Sequence, residues 1–190
     1  MKNKKIEKMV GIGLFTAIVM VLQLLGGSIH ILGMFSITLV LVPVVVGAAV
    51  YGWQAGAWLG FAFGFAVLLS GDASSFMVVD PLATVLVVLV KGTACGLVSG
   101  LVYTAMKRFQ PILAVMTSAV ICPIVNTGVF LLGCRLFFMD TITQWATQFG
   151  FADAGSYMIF GLVGVNFLVE LGVNLLLGPM IVRIIHYKMK

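Results

Sequence analysis

Charge is what this chain has least of: 9% of its 190 residues are Asp, Glu, Lys or Arg, against 62% hydrophobic ones. With a mean hydropathy of +1.19, that composition excludes a soluble globular domain and predicts an integral membrane protein set in a lipid bilayer. Cysteine is scarce as well. Cys95, Cys122 and Cys134 lie in or at the end of apolar runs without C-x-x-C spacing, so neither a disulfide framework nor a zinc site is indicated. The chain also lacks a Walker A phosphate loop, a Rossmann glycine turn, an H-E-x-x-H pair and a G-x-S-x-G elbow. It therefore offers no ATPase and no recognised catalytic centre, and no cofactor or metal is expected.

What the chain has is long apolar runs. In 190 residues there is room for about six spanning helices of roughly 20 to 25 residues with short loops, and little else. The fold class expected is an all-α membrane protein, one compact bundle of six transmembrane helices over residues 1–190. The basic MKNKKIEKMV start resembles a signal-peptide n-region, but no small-residue cleavage site follows, so it reads as a retained first helix. Helix one is expected from about Glu7 to Leu25, ending at Gly26-Gly27, with a loop containing His30 after it. Helix two, about Ile37 to Tyr51, and helix three, about Gln54 to Ser70, should form an antiparallel hairpin through Gly52. A polar loop with Asp72 and Asp80 leads to Pro81, which suits the first turn of helix four, about Pro81 to Met106. Helix five runs from near Pro111 to Phe138 with an expected kink at Pro123. The segment from Met139 to Ser156 is too polar to span and should form an interfacial helix or lid. Helix six follows, about Tyr157 to Ile185.

Basic residues gather on one side of this scheme: Lys2, Lys4, Lys5, Lys8, Lys107, Arg108, Arg183, Lys188 and Lys190. The opposite side carries Asp72, Asp80, Asp140 and Asp153, with Arg135 near its interface. The positive-inside rule then places both termini in the cytoplasm. The net charge of +5 is a topology signal and an attraction to anionic lipid, with no reason to read a nucleic-acid footprint into it.

Polar residues inside the apolar runs are the candidates for function. Asn166, Glu170 and Asn174 are spaced four apart and share one helical stripe. An ionisable group at membrane depth costs at least about 2.5 kcal/mol and usually faces a bundle interior or a wet cavity. The alternative is a satisfied interhelical contact, which weighs most for Asn174. At about 1.5 Å per residue, Lys91, Asn126 and Asn166 all fall about 14 to 15 Å below the outer face, on three different helices, with Glu170 roughly 6 Å deeper. Those residues form either a ligand pocket, a structural Lys91–Glu170 ion pair, or an ion or proton path. Small residues supply a second signal. Gly13-x-x-x-Ala17, Gly56-x-x-x-Gly60-x-x-x-Gly64 and Gly92-x-x-x-Gly96-x-x-x-Gly100 each make a groove for close helix approach. Internal packing suits the two mid-chain grooves; on helix one, beside a basic end, docking of a separate subunit is a contender.

Several of these features together resemble the substrate-binding S components of energy-coupling factor (ECF) vitamin transporters. They are the six short helices, Gly13-x-x-x-Ala17, the stretch ITLVLVPVVVGAAVYGWQAGAWLGFAFGF, Lys91-Gly92, and CPIVNTGVFLLGC. The resemblance implies a high-affinity vitamin receptor in the cell membrane that docks on a membrane coupling subunit and two cytoplasmic ATPases, and topples to release its cargo inside. It also implies a site toward the outer face between helices four to six. Lys91, Asn126 and Asn166 fall there, with Trp145 and Phe76 as loop contacts; the family's groove is commonly Ala-x-x-x-Ala, where this chain has Gly13.

A cation and two amides at one depth favour a carboxylate-bearing, hydroxylated substrate such as pantothenate. Aromatics near the site are few (Trp145, Phe76, Phe130 and Phe167), which argues against a large flat ring such as riboflavin. Other vitamins of the riboflavin, folate or pyridoxine type, a self-contained ion-coupled carrier, and a membrane-embedded enzyme using Glu170 and Lys91 are the alternatives; paired broken helices, which a carrier built from repeats would show, are not evident.

Overall fold

The computed structural model describes residues 4–26 and 39–188. The expected loop at His30, the start of helix two at Ile37, and Lys2 and Lys190 lie outside the described residues, as do the side chains of Lys4, Arg183 and Lys188. Among the described residues the chain is all-helical, without strands. Helix α1 spans Lys4–Gly26, α2 Leu41–Tyr51, α3 Trp53–Ser70, α4 Ser74–Met77, α5 Pro81–Met106, α6 Pro111–Phe137, α7 Met139–Gln148 and α8 Ala154–Ser156. A π-helical segment, Tyr157–Val163, then leads into α9, Gly164–Lys188.

Among the described residues four helices, α1, α3, α5 and α6, are long and apolar enough to cross a membrane, and the bent pair Ala154–Val163 and Asn166–Met180 makes a fifth if it counts as one span. Helix α2 has 11 described residues, about 17 Å of helix, short of a hydrocarbon core of about 30 Å. It is also the most enclosed element. Every residue from Leu41 to Ala49 is buried, and α1, α3, α5, α6 and α9 all touch it. A run of valines with Pro43 in the first turn, where proline removes no helical hydrogen bond, suits a helix apolar all round.

Tight turns and small residues set how the helices meet. Gly52 joins α2 to α3 at φ 96°, a conformation that side chains disfavour, and the expected hairpin follows. Helices α3 and α5 share the largest helix–helix contact in the molecule. A Cβ on Gly60 would run into the carbonyl oxygen of Gly92, and one on Gly96 into that of Gly56. The two mid-chain small-residue stripes therefore face each other, which is the internal packing expected for them. The stripe on α1 behaves differently: Gly13 and Ala17 are exposed, and among the described residues nothing lies within 4 Å of a Cβ built on Gly13.

Helix α5 begins as the sequence suggests, with Pro81 in its first turn and the Asp80 carboxylate accepting from the Ala83 N–H at 3.0 Å. Helix α6 stays one helix through Pro123. The last span departs from a straight helix: the chain winds as a π-helix to Val163, Gly164 takes φ 39°, and the two halves meet at 44°. Glycine is what permits that backbone.

Candidate functional site

The Met139 to Ser156 segment does fold over the end of the bundle. Ile142 and Ala146 of α7, Ala154 of α8 and Tyr157 pack with Phe76, Ala83, Cys134 and Phe138 into one buried cluster. The single turn of α4 turns Phe76 inward, 4% exposed, where its ring meets Phe138, Trp145 and Phe130 edge-on at 5.0, 5.3 and 5.7 Å. The Asp153 carboxylate caps α8, accepting from the backbone N–H and the hydroxyl of Ser156, both at 2.9 Å. Those bonds hold its carboxyl below the usual carboxylate range.

Beneath this layer is a cavity of about 110 Å³, room for several water molecules at roughly 10 to 15 Å³ each. It is walled by the end of α1, α3, the Asp72–Phe76 turn, α5, α6 and the two halves of the last span. Lys91, Asn126, Asn166, Glu170 and Phe76 all line it. Four residues singled out on three helices by depth, and one by its loop, thus line one cavity. Trp145 does not line the cavity; it stands behind Phe76. Gly13 and Ala17 belong to another surface. Asn174, also off the cavity, is 2% exposed; its side-chain N–H donates to the Glu170 carbonyl at 2.9 Å, a bond within α9 rather than between helices, and its Oδ1 has no partner among the described residues.

Electrostatics concentrate on Lys91. Its ammonium lies 5.0 Å from the centroid of the Phe130 ring and 6.0 Å from that of Phe63, distances at which a ring face attracts a cation. Glu170 and Asp72 are both within Coulombic reach of it. Asn126 is 7% exposed, and its Oδ1 has no hydrogen-bond partner among the described residues. A buried acceptor left open is uncommon in a native fold, so an acceptor open toward a cavity marks where a ligand donor or a water belongs.

Other wall residues escaped the sequence reading. Gln23 of α1 lines the cavity, is 1% exposed, and donates from Nε2 to the Asp72 carboxylate. Thr84, Thr127, Phe63 and Phe138 line it too. Gln23 carried a signal of the same kind as Asn126, an amide late in an apolar helix. Its tie to Asp72, 49 residues away, had none.

No curated protein and no solved structure matches the chain. A family profile does: the one described as "ECF transporter, substrate-specific component" matches residues 7–182. Proteins of that family are the substrate-binding subunits of importers rather than enzymes, and they associate with ECF membrane and ATPase modules. With nearly its whole length matched and a part-polar cavity enclosed by apolar helices, the chain belongs to the ECF transporter substrate-specific components, as a multi-pass membrane protein that binds a small molecule for an ECF importer.

Proposed function

We propose that the substrate is a small carboxylate-bearing, hydroxylated vitamin, with pantothenate the best fit, held in the cavity under α7. The observation that carries this reading is Lys91 on the same wall as Asn126 and Asn166, the Asn126 Oδ1 being without a partner among the described residues. An ammonium takes a carboxylate by charge-assisted hydrogen bonds that strengthen away from bulk water, and amides take hydroxyls and a substrate amide. Glu170, within Coulombic reach of the lysine, stands as its counter-charge when the cavity is empty of anion. Phe76 supplies apolar contact, and Trp145 acts through it by fixing its ring.

The remaining parts of the proposal concern transport. Six spans with both termini cytoplasmic put the cavity toward the outer face, so substrate enters from outside. The exposed Gly13 and Ala17 groove on α1 receives a helix of the membrane coupling subunit, and two cytoplasmic ATPases drive the release of substrate inward.

A second reading has one observation in its favour. Five phenylalanines, Phe63, Phe76, Phe130, Phe138 and Phe167, line the cavity, more than the sequence suggested, and ring faces of this kind suit a vitamin of the pyridoxine, riboflavin or folate type. Mass spectrometry of small molecules released from the purified protein, followed by calorimetric titration with pantothenate, decides between them. Pantothenate released and rebound at one site is the expected result. Release of a ring vitamin, with no heat from pantothenate, overturns the assignment.

A further inference from the structure

The cavity wall holds further polar groups beside Lys91. Gln23 sits three residues before the end of α1 at Gly26, and Asp72 just beyond the end of α3. Both therefore lie at the end of the bundle where Pro81 starts α5. Lys91 is ten residues farther along α5, about 15 Å deeper. The Gln23 amide is fixed in orientation, because its Nε2 donates to the Asp72 carboxylate and, at 3.3 Å, to Ser70 Oγ. Ser70 Oγ in turn donates to the Val67 carbonyl at 3.1 Å. With its nitrogen committed, Gln23 is left with Oε1, which has no partner among the described residues and belongs to a side chain 1% exposed. Asn126 leaves an oxygen open in the same way.

The shallow part of the wall thus offers the Gln23 oxygen as an acceptor, and the deep part offers the Lys91 ammonium at the depth of the open Asn126 oxygen. Asp72 and Glu170 against Lys91 give the ionisable wall residues a formal charge of −1. A ligand that was only an anion would satisfy Lys91 and leave the Gln23 Oε1 open, at the desolvation cost of a buried polar group. A ligand with an O–H or N–H donor at its far end satisfies both.

We propose that the cavity reads its substrate from two ends: an anionic group seated on Lys91, deep, and a hydroxyl or ammonium donor seated on the Gln23–Asp72 pair, shallow. The substrate class is a small acid carrying donors remote from the acid, bound acid-end inward. Gln23 and Asp72 are then specificity residues, selecting donor-bearing acids over simple ones. This rests on the assignment of Lys91 as the anion contact in the proposal above.

The test titrates the full chain in lipid nanodiscs with three probes. They are pantothenate; panthenol, in which the carboxylate is a hydroxymethyl group; and dideoxypantothenate, in which both hydroxyls are replaced by hydrogen. Asp72→Asn and Gln23→Leu should each weaken pantothenate and panthenol about 10-fold or more and leave dideoxypantothenate nearly unchanged. Lys91→Ala should do the reverse, weakening both acids and sparing panthenol. Retained binding of dideoxypantothenate shows that a variant is folded. Equal losses for all three probes in both Asp72→Asn and Gln23→Leu overturn the inference while leaving pantothenate as substrate. If the wild-type chain binds none of the probes, pantothenate falls, and the molecule released from the purified protein decides the inference: an acid with O–H or N–H donors upholds it, and a compound lacking either overturns it.

Discussion

Lys91 is an ionisable residue mid-way along an apolar helix, bordered by two phenylalanine rings and within Coulombic reach of two carboxylates. Such a residue either holds a ligand or neutralises Glu170, and the two roles give different rankings of variants. As a ligand contact, Lys91→Ala weakens binding of an anionic vitamin by about 2 to 5 kcal/mol, roughly 30-fold to several thousand-fold in dissociation constant. Lys91→Arg loses less, because a planar fork replaces a compact ammonium without filling its place. Asn126→Ala and Asn166→Ala lose about 1 to 3 kcal/mol each. If Lys91 only neutralises Glu170, Lys91→Ala lowers thermal stability, and combining it with Glu170→Gln restores stability and binding together. Calorimetry and melting of the single and double variants separate the roles; full-affinity binding by Lys91→Ala removes the lysine from the site. The legible part of this site was the part announced by a polar residue in an apolar run: Lys91, Asn126, Asn166 and Glu170 stood out because burying such groups is expensive. Asp72 did not, since an aspartate in a loop reads as solvated until Gln23 is seen to hold it. Trp145 packs behind Phe76, a layer the sequence could not specify because it gives a loop residue no direction.

At the scale of the element, two stripes of the same small-residue type do different things. Gly60 on α3 meets the backbone of Gly92 with no room for a methyl group, whereas Gly13 on α1 faces open space. Gly60→Val should therefore separate α3 from α5 and lower the melting temperature, at about 1 to 3 kcal/mol for a core forced to overpack. Gly13→Trp should leave melting and vitamin binding by the isolated chain nearly unchanged and block energised uptake. Uptake at the normal rate by Gly13→Trp would take this groove off the docking surface. The helices themselves were legible to within a few residues, α5 from Pro81 to Met106 among them, because proline and the Asp80 cap mark a start that backbone geometry must obey. The π-helical segment was not legible. A hydropathy run from Tyr157 to Ile185 is continuous, and neither the wider winding before Val163 nor the 44° bend at Gly164 changes which residues are apolar. Gly164 was the one mark, since its φ of 39° is a backbone state that glycine enters freely and most residues avoid.

Across the whole molecule, the ends of the bundle differ in charge, and packing shows which segments share an end. The Asp72–Asp80 connection and the α7–α8 segment meet in one buried cluster through Phe76, Phe138, Ile142 and Ala154, so Asp72, Asp80, Asp140 and Asp153 gather at one end. Lys107 and Arg108, both exposed, join α5 to α6 at the far end of the same helices. Lysine and arginine are retained on the cytoplasmic side during insertion, so the α5–α6 connection is expected to face inward and the α7 segment outward. Cysteine labelling in intact cells tests the assignment on a quiet background, because Cys95, Cys122 and Cys134 are all buried. Gln148→Cys, exposed at the end of α7, should react with an impermeant maleimide at once. Lys107→Cys should react only after the membrane is permeabilised. The opposite pattern would invert the protein in the membrane, turn the cavity's covered end to the cytoplasm, and sink both the entry route from outside and the coupling of release to cytoplasmic ATPases.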